Sequence, residues 1–179
     1  MTLRVEFEQL RQALSGDPET AMQQLCVRFP QRVIFTTSLG VEDQVVTHLI
    51  ATQKLQVAIA SIDTGRLFDE TYQTLSATTQ RYRLPIRVIS PDASALEALY
   101  QKQGVNGFYD SLENRLRCCD VRKRAPLTQL LTGMAVWITG LRRGQSDNRR
   151  DFKRLMIDES LSIIKFNPLI DWSDDDVRE

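Results

Sequence analysis

Short apolar runs alternate with amphipathic stretches along most of the chain. The runs are rich in β-branched and aromatic residues and predict strands at 32–37, 57–62, 86–89 and 135–140. The stretches between them have the apolar spacing of helices, at 41–52, around 67–75, at 93–103 and at 118–131. Two further short helices are predicted in the first thirty residues, on either side of a break at 15–18.

Strands that alternate with helices of this length indicate a parallel sheet, because parallel neighbours need long crossover connections. The expected fold class is therefore α/β, with helices flanking a twisted and mostly parallel sheet. Residues 155–157 and 161–164 predict a hairpin appended to that sheet, in a structural role. Ser173 is a good cap for a final helix, which has barely begun at residue 179, so we expect a missing C-terminal portion.

Length and composition narrow the functional classes. A chain of 179 residues and 20.5 kDa suits one domain over 1–179. Its 23 basic residues balance its 23 acidic ones, which disfavours a nonspecific nucleic-acid binder. No apolar run approaches the roughly 20 residues that span a bilayer, and the acidic start is unlike a signal peptide. We therefore expect a cytoplasmic protein with no nucleic-acid or membrane partner.

Polar residues follow three of the predicted strands, where an open parallel sheet binds its ligands. The first segment offers hydroxyls and a helix N-terminus to an anion, the second a carboxylate and backbone amides to a base or ribose, and the third a cluster of guanidinium groups. The candidate residues are Thr37, Ser38 and Gly40; Asp63, Thr64 and Gly65; and Gly140, Arg142, Arg143, Arg149 and Arg150. Ordinary turns and a solvated charged loop are the alternative interpretations.

Two adjacent cysteines, Cys118 and Cys119, lie among basic residues at the start of the helix predicted from 118. Basic neighbours and a helix N-terminus both favour a thiolate, which acts as a nucleophile or a metal ligand. Two buried structural cysteines are the alternative. Cys26 falls on the apolar side of its helix and is expected in the core, and His48, the single histidine, is expected in packing or at a helix surface.

Taken together, four motifs in register resemble the assimilatory adenylyl-sulfate (APS) and phosphoadenylyl-sulfate (PAPS) reductases. They are TSLGVEDQ at 37–44, IDTG at 62–65, CCDVRK at 118–123 and WITGLRRGQS at 137–146, and the likeness continues through FNPLIDW at 166–172. The resemblance implies an adenine nucleotide α-hydrolase-like fold. It also implies thiol-dependent reduction of a sulfonucleotide to sulfite with release of AMP, in the service of sulfate assimilation.

The resemblance also implies roles for residues. The loop from Ser38 to Asp43 is expected to hold the phosphate group, and residues Ile62 to Gly65 the adenosine. Lys123 matches a lysine between a metal cluster and the substrate, and Arg142, Arg143 and either Arg149 or Arg150 match an arginine-rich loop. Cys118 and Cys119 match two ligands of a 4Fe-4S cluster, which favours APS over PAPS as substrate.

The chain also departs from the family's pattern. The family's later Cys-x-x-Cys pair and its nucleophilic cysteine near the C-terminus are absent from these 179 residues. We therefore expect a binding-competent core of an APS reductase, which works with thioredoxin or a similar thiol and forms a homo-oligomer. A PAPS reductase, a noncatalytic adenine-nucleotide-binding module and an ATP pyrophosphatase remain the alternatives.

Overall fold

A single six-stranded sheet organises the chain, in the order β3-β2-β1-β4-β6-β5. The computed structural model describes residues 2–178, and at position 148 the backbone alone. Every pair of neighbouring strands is parallel except β5 and β6, which confirms the α/β prediction. The strands are β1 (Val33–Thr36), β2 (Ala58–Ile62), β3 (Ile86–Ile89), β4 (Val136–Ile138), β5 (Leu155–Asp158) and β6 (Ile163–Phe166).

Eight α-helices accompany this sheet in the described part of the chain. They are α1 (Leu3–Ala13), α2 (Pro18–Arg28), α3 (Val41–Thr52), α4 (Asp69–Tyr82), α5 (Ala93–Gln103), α6 (Leu112–Cys119), α7 (Ala125–Leu131) and α8 (Asp174–Arg178). The predicted bounds of α3 and α5 are confirmed. No helix among residues 2–178 combines the length and the apolar character that crossing a membrane requires.

Local capping explains where two of these helices begin. Asp17 accepts a hydrogen bond from the backbone N–H of Thr20 at 2.8 Å, and Pro18 occupies the first turn of α2. At the other end of the chain, Ser173 and Asp176 cap one another: the Ser173 hydroxyl accepts from the Asp176 N–H, and the Asp176 carboxylate accepts from the Ser173 N–H. The predicted role of Ser173 is therefore confirmed.

The sheet buries apolar side chains on both faces. On one face Phe35, Ile138 and Phe166 are fully buried and pack with α2 and α3, including Met22 and Val46. A smaller cluster on the other face joins three strands to α7 and consists of Ile34, Ala60, Leu130, Leu131 and Ile163, with Trp137 packed against it. Covered faces on both sides are typical of parallel sheets, and they leave the strand ends as the place for a ligand.

The helix predicted from residue 118 begins earlier. Ser111 caps α6 by accepting from the Asn114 N–H at 3.1 Å, and the helical run continues through a π-helical turn (Asp120–Arg124) into α7. Cys118 and Cys119 are therefore the last residues of α6, inside a continuous helical run. The prediction that a helix N-terminus favours their thiolate forms is wrong. The sequence from 112 to 117 carries few apolar residues, so the apolar pattern does not predict this part of the helix.

Two smaller differences concern α4 and the hairpin. Leu67 and Phe68 precede α4 instead of lying on its inner face, and Phe68 is exposed. The hairpin of β5 and β6 is confirmed, but Leu161 and Ser162 lie in its turn, where Ser162 has a φ of 51°. Strand β6 consequently extends to Phe166, which brings Lys165 into register with Trp137 of β4.

Candidate functional site

A cleft of about 420 Å³ opens at the carboxyl ends of β1, β2 and β4. The chain leaves β1 toward β2 and β3 on one side and returns to β4 on the other, so β1 and β4 flank the switch point at which open sheets bind ligands. The cleft is lined by Thr36, Thr37, Ser38, Gly40, Glu42, Asp43, Ser61, Ile62, Thr64, Leu67, Thr71, Lys123, Leu127, Trp137, Thr139, Gly140, Leu141, Gln145, Arg149 and Lys165.

The loop between β1 and α3 is held by its own side chains. The buried carboxylate of Asp43 accepts hydrogen bonds from the Ser38 N–H at 2.6 Å and from the Ser38 hydroxyl at 2.8 Å. The Thr37 hydroxyl accepts from the Leu39 N–H at 2.9 Å, with Leu39 at a φ of 66°. These hydrogen bonds fix the shape of the loop, and the positive end of the α3 helix dipole favours an anion there.

Burial raises the pKa of Asp43 above its ordinary value, although the hydrogen bonds from Ser38 act in the opposite direction. The carboxylate is therefore engaged with its own loop. It lines the cleft, yet its hydrogen bonds to Ser38 and Thr37 make it a support of the loop more than a contact for an anionic ligand.

Gly140 brings the end of β4 against the first turn of α3. A Cβ at Gly140 would lie 2.3 Å from Asp43 Oδ1 and 3.1 Å from the Asp43 backbone nitrogen. Only glycine permits this approach, because nothing larger than hydrogen fits between the two segments. The predicted residue Gly140 thus closes the floor of the cleft.

In the loop after β2, Thr64 lines the cleft, whereas the Asp63 carboxylate bonds its own loop. Asp63 Oδ1 accepts from the Gly65 N–H at 2.8 Å and from the Tyr72 hydroxyl at 2.9 Å, so its carboxylate shapes the turn. Gly65 has a φ of 68°, a conformation that favours glycine. Ile62 and Thr64 line the cleft, whereas Asp63 and Gly65 do not.

Arg122 supports this loop from below, and sequence reasoning did not single it out. Its side chain lies in the π-helical turn, is 4% exposed, and donates to the Thr64 carbonyl at 2.5 Å and to the Tyr100 hydroxyl at 2.7 Å. The wider π-helical turn directs Arg122 toward the loop while the adjacent Lys123 lines the cleft. The motif at 118–123 therefore contributes to the site in two ways: Arg122 supports the loop that carries Thr64, and Lys123 lines the cleft.

Arg142 is buried away from the ligand space. Its Nη2 donates to Glu42 Oε1 at 2.8 Å and to Asp174 Oδ1 at 2.6 Å, and its Nη1 donates to the Trp172 carbonyl. Burial by itself would lower the pKa of Arg142, but the two carboxylates raise it above its ordinary value. The guanidinium thus joins α3, the arginine-rich loop and α8, and it does not line the cleft.

The other arginines of the loop also differ in whether they face the cleft. Arg143 pairs with Asp171 and donates to the Phe152 carbonyl, and Arg150 pairs with Asp147 at the surface, so both point away from the cleft. Arg149 lines the cleft and donates to the side chain of Gln145. Of the two arginines that the sequence left open for one role, the structure brings Arg149 to the site.

Three cations face the cleft: Lys123, Arg149 and Lys165. In the part of the chain that the structure describes, no carboxylate lies within 4.0 Å of any of them. Lys165 was missed because its hairpin was assigned a structural role. The alternation in β6, where Lys165 stands between buried Ile164 and Phe166, carried a signal, since it places a lysine on the face of a central strand.

The cysteines lie outside the cleft. Cys118 is half-buried and Cys119 is exposed, both at the end of α6, while Cys26 packs half-buried against the core as predicted. Within residues 2–178, no group of three or more His, Cys, Asp or Glu side chains is arranged to hold a metal ion. Adjacent thiols beside basic residues suit an iron-sulfur cluster chemically, and they provide two of its four ligands. His48 lies at the surface of α3, near the Tyr82 hydroxyl at 3.2 Å.

Comparison with known proteins adds sequence relatives to this geometry. Residues 32–179 match the phosphoadenosine phosphosulfate reductase domain. The chain is 41% identical to an "Adenosine 5'-phosphosulfate reductase" of Sinorhizobium fredii over 99% of its length and 70% of the relative's. It is 46% identical to a protein of the same name from Agrobacterium fabrum, over 82% of its length and 56% of the relative's.

Solved structures share the fold. A phosphoadenylyl-sulfate reductase of Candida auris, solved as a phosphate complex, superimposes with a TM-score of 0.78 at 24% identity, covering 96% of this chain and 82% of that one. An FMN adenylyltransferase of Candida glabrata follows at a TM-score of 0.60 and 12% identity, covering 99% and 56%. The adenine nucleotide α-hydrolase-like fold is thereby confirmed. Of the full lengths of eight similar curated relatives, the chain spans between 53% and 70%.

Proposed function

The chain belongs to the phosphoadenosine phosphosulfate reductase domain family, and we propose that residues 1–179 form the single sulfonucleotide-binding domain of an adenylyl-sulfate reductase. The enzyme would reduce adenylyl sulfate to sulfite and AMP in sulfate assimilation. The observation that carries the proposal is the cleft itself, where three cations and the N-terminus of α3 converge at the switch point of the sheet, and no carboxylate of the described residues pairs with these cations. The names of the curated relatives support the same substrate.

We assign the two halves of the ligand to two parts of the cleft. Thr64 and Ile62, with the apolar side chain of Leu67, suit the adenosine. The first turn of α3, Lys123 and Arg149 suit the anionic group, because backbone N–H groups and guanidinium groups match phosphate and sulfate oxygens. We assign the predicted residues Ser38 and Gly40 to this second part, where they border the helix N-terminus.

Four of the predicted binding residues act as supports in this proposal. Asp43 holds the Ser38 backbone, Asp63 shapes the turn that presents Thr64, Gly140 allows the close approach to α3, and Arg142 fixes the loop that carries Arg149. The side chains of Asp43, Asp63 and Arg142 are engaged with the protein. A substitution at Arg142 would therefore report on the fold of the loop as much as on ligand binding.

The chemistry requires a thiol nucleophile that none of the described residues brings into the cleft. A cysteine thiolate attacks the sulfur of the substrate, the bond from sulfur to the phosphate oxygen breaks, and AMP leaves with that electron pair. A second thiol then attacks the enzyme's S-sulfocysteine, forming a disulfide and releasing sulfite. We propose thioredoxin or a similar protein thiol as that reductant.

We propose that Cys118 and Cys119 supply two ligands of a 4Fe-4S cluster in the assembled enzyme. The thiolate donors fit such a cluster, and the described residues offer these two. When bound, such a cluster would supply an iron-sulfur centre held by thiolates. Lys123, four residues after Cys119 along the same helical run, would then stand between that centre and the anion of the substrate.

Titration with AMP tests the proposed site. We expect the anaerobically purified chain to bind AMP in calorimetry, with no gain from the 3′-phosphate of adenosine 3′,5′-bisphosphate. Arg149→Gln should weaken AMP binding about tenfold, because a charge-assisted hydrogen bond is lost. Arg150→Gln is the matched control, since that arginine pairs with Asp147 at the surface.

Three results would count against this assignment. Binding that improves with the 3′-phosphate would point to phosphoadenylyl sulfate as the substrate. Equal losses in the Arg149 and Arg150 variants would show that the cleft is not the anion site. Absence of AMP binding would leave the cleft without its proposed ligand. The expected homo-oligomeric state stays a prediction, checked by the mass of the chain in solution.

A further inference from the structure

Lys165 occupies a position that its predicted role in a structural hairpin does not explain. It lies in β6 in register with Trp137 of β4, and its side chain reaches the cleft between the two strands. The ammonium stands 4.5 Å from the centre of the Trp137 ring and 5.4 Å from that of Phe152. The two aromatic rings hold the end of a flexible side chain in one place, and cation–π attraction favours its charged form there.

The surroundings of this ammonium leave its charge unbalanced. Burial lowers the pKa of Lys165, the nearby Arg149 lowers it further, and Asp158 acts in the opposite direction. Among residues 2–178, Lys165 makes no ion pair within 4.0 Å and has no hydrogen-bond acceptor. Burying a cation in part without a partner costs folding free energy, unless an anion pairs with it.

Two neighbouring cations indicate that an anion would balance the charge of Lys165. Lys123 and Arg149 line the same cleft and likewise have no carboxylate partner among the described residues, although Glu42 and Asp43 are close by. Those two carboxylates are engaged elsewhere, Glu42 with Arg142 and Asp43 with Ser38. The positive charge on this side of the cleft is therefore left for an anion from solution.

We propose that Lys165 is a binding residue for the anionic group of the ligand, acting with Lys123 and Arg149 on a phosphate or sulfate group. This inference rests on the proposed function and extends it to a residue outside the arginine-rich loop. Trp137 has a part in it, because its ring fixes the ammonium and its Nε1–H donates to the Thr36 hydroxyl at 2.8 Å. The aromatic contact positions the charge, and the charge contacts the ligand.

A purely structural lysine is the competing explanation, and three variants separate the two. Lys165→Met keeps an apolar stem against Trp137 and Phe152 but removes the charge, whereas Lys165→Arg keeps the charge. Lys153→Met is the matched control, because Lys153 is exposed on the preceding segment and does not line the cleft. Thermal unfolding of each variant shows whether the chain still folds as the wild type does.

The ligands are adenosine, AMP and adenylyl sulfate, with the binding of each measured by calorimetry. We expect Lys165→Met to weaken AMP and adenylyl sulfate about tenfold and to leave adenosine unchanged, because the uncharged nucleoside has no group for the ammonium. Lys165→Arg should retain most of the wild-type affinity for AMP and adenylyl sulfate. Lys153→Met should bind all three ligands as the wild type does.

The series separates a failure of this inference from a failure of the proposed function. If the wild type binds AMP and Lys165→Met binds it equally well, Lys165 is not a ligand-binding residue and the proposed function stands. Equal weakening of adenosine and AMP would also overturn the inference, because it would show that Lys165 only packs Trp137. If the wild-type chain binds neither AMP nor adenylyl sulfate, the proposed function fails first.

Discussion

Gly140 and Asp43 are so close that a single methyl group at Gly140 would meet the Asp43 carboxylate at 2.3 Å. This contact joins the end of β4 to the first turn of α3 and thereby fixes the floor of the cleft. Because Asp43 is buried and its carboxylate holds the Ser38 loop, it cannot move aside without breaking those hydrogen bonds.

Gly140→Ala should therefore disturb both the fold and the ligand site. We expect a loss of about 1–3 kcal/mol in the free energy of unfolding, the usual cost of overpacking a tight contact, together with weaker AMP binding. Chemical denaturation and calorimetry measure the two effects. Gly144→Ala is the control, since a Cβ there meets nothing nearer than 3.7 Å. Equal stability of the two variants would contradict the close approach.

The ion pair of Glu42 and Arg142 predicts a loss of stability in acid. Burial alone would raise the pKa of Glu42, but its own backbone N–H and the side chains of Arg142 and Gln145 hold it below the ordinary 4.5. Because folding lowers this pKa, its stabilising contribution is present above pH 4.5 and is lost as the pH falls through the lowered value.

Glu42→Gln should flatten that part of the pH profile. The variant has no carboxylate to protonate, so its free energy of unfolding should fall less steeply below pH 4.5 than that of the wild type. Asp43 acts in the opposite sense, because burial raises its pKa and thereby favours the folded state at low pH, and the variant loses only the part of that rise that the charge of Glu42 causes. Denaturant titrations across pH 3–7 measure the difference, and identical slopes would show that Glu42 does not contribute.

Periodicity predicted the order of strands and helices because each buried strand of a parallel sheet is an uninterrupted apolar run. It placed α3 at 41–52 and α5 at 93–103 correctly. It failed at α6, whose residues are mostly polar and whose start depends on the Ser111 cap and not on an apolar stripe. A hydroxyl cap followed by polar helix formers is a signal that apolar spacing does not register.

For the site, the sequence gives the segments but not the direction of each side chain. Arg142 and Arg149 belong to one basic loop, yet Arg142 is buried between Glu42 and Asp174 while Arg149 faces the cleft. Those carboxylates come from α3 and α8, and no local pattern reveals a pairing across 100 residues. For Lys165 the alternation in β6 carries a local signal, but its exposure to the cleft depends on the register of β6 with β4.

Arg122 is expected to act on adenosine binding through the Thr64 loop. Arg122→Met removes the donor to the Thr64 carbonyl and should weaken adenosine and AMP to the same extent, at a cost in stability of about 1–3 kcal/mol. Arg122→Lys should recover part of both losses. Arg124→Met is the control, because Arg124 is exposed and pairs with Asp120 at the surface. An unchanged adenosine affinity in Arg122→Met would contradict a positioning role.

The three cysteines should differ in their rates of alkylation. Burial raises the pKa of Cys26, which lowers its thiolate fraction, and its half-buried side chain restricts access. Cys119 is exposed at the end of α6, and Cys118 is half-buried beside it. In the reduced and metal-free chain near neutral pH, iodoacetamide should therefore modify Cys119 first and Cys26 last, with Cys26 roughly tenfold or more slower than Cys119. Peptide mass spectrometry over a time course measures the order. Alkylation of Cys26 as fast as that of Cys119 would show that α2 does not shield its thiol.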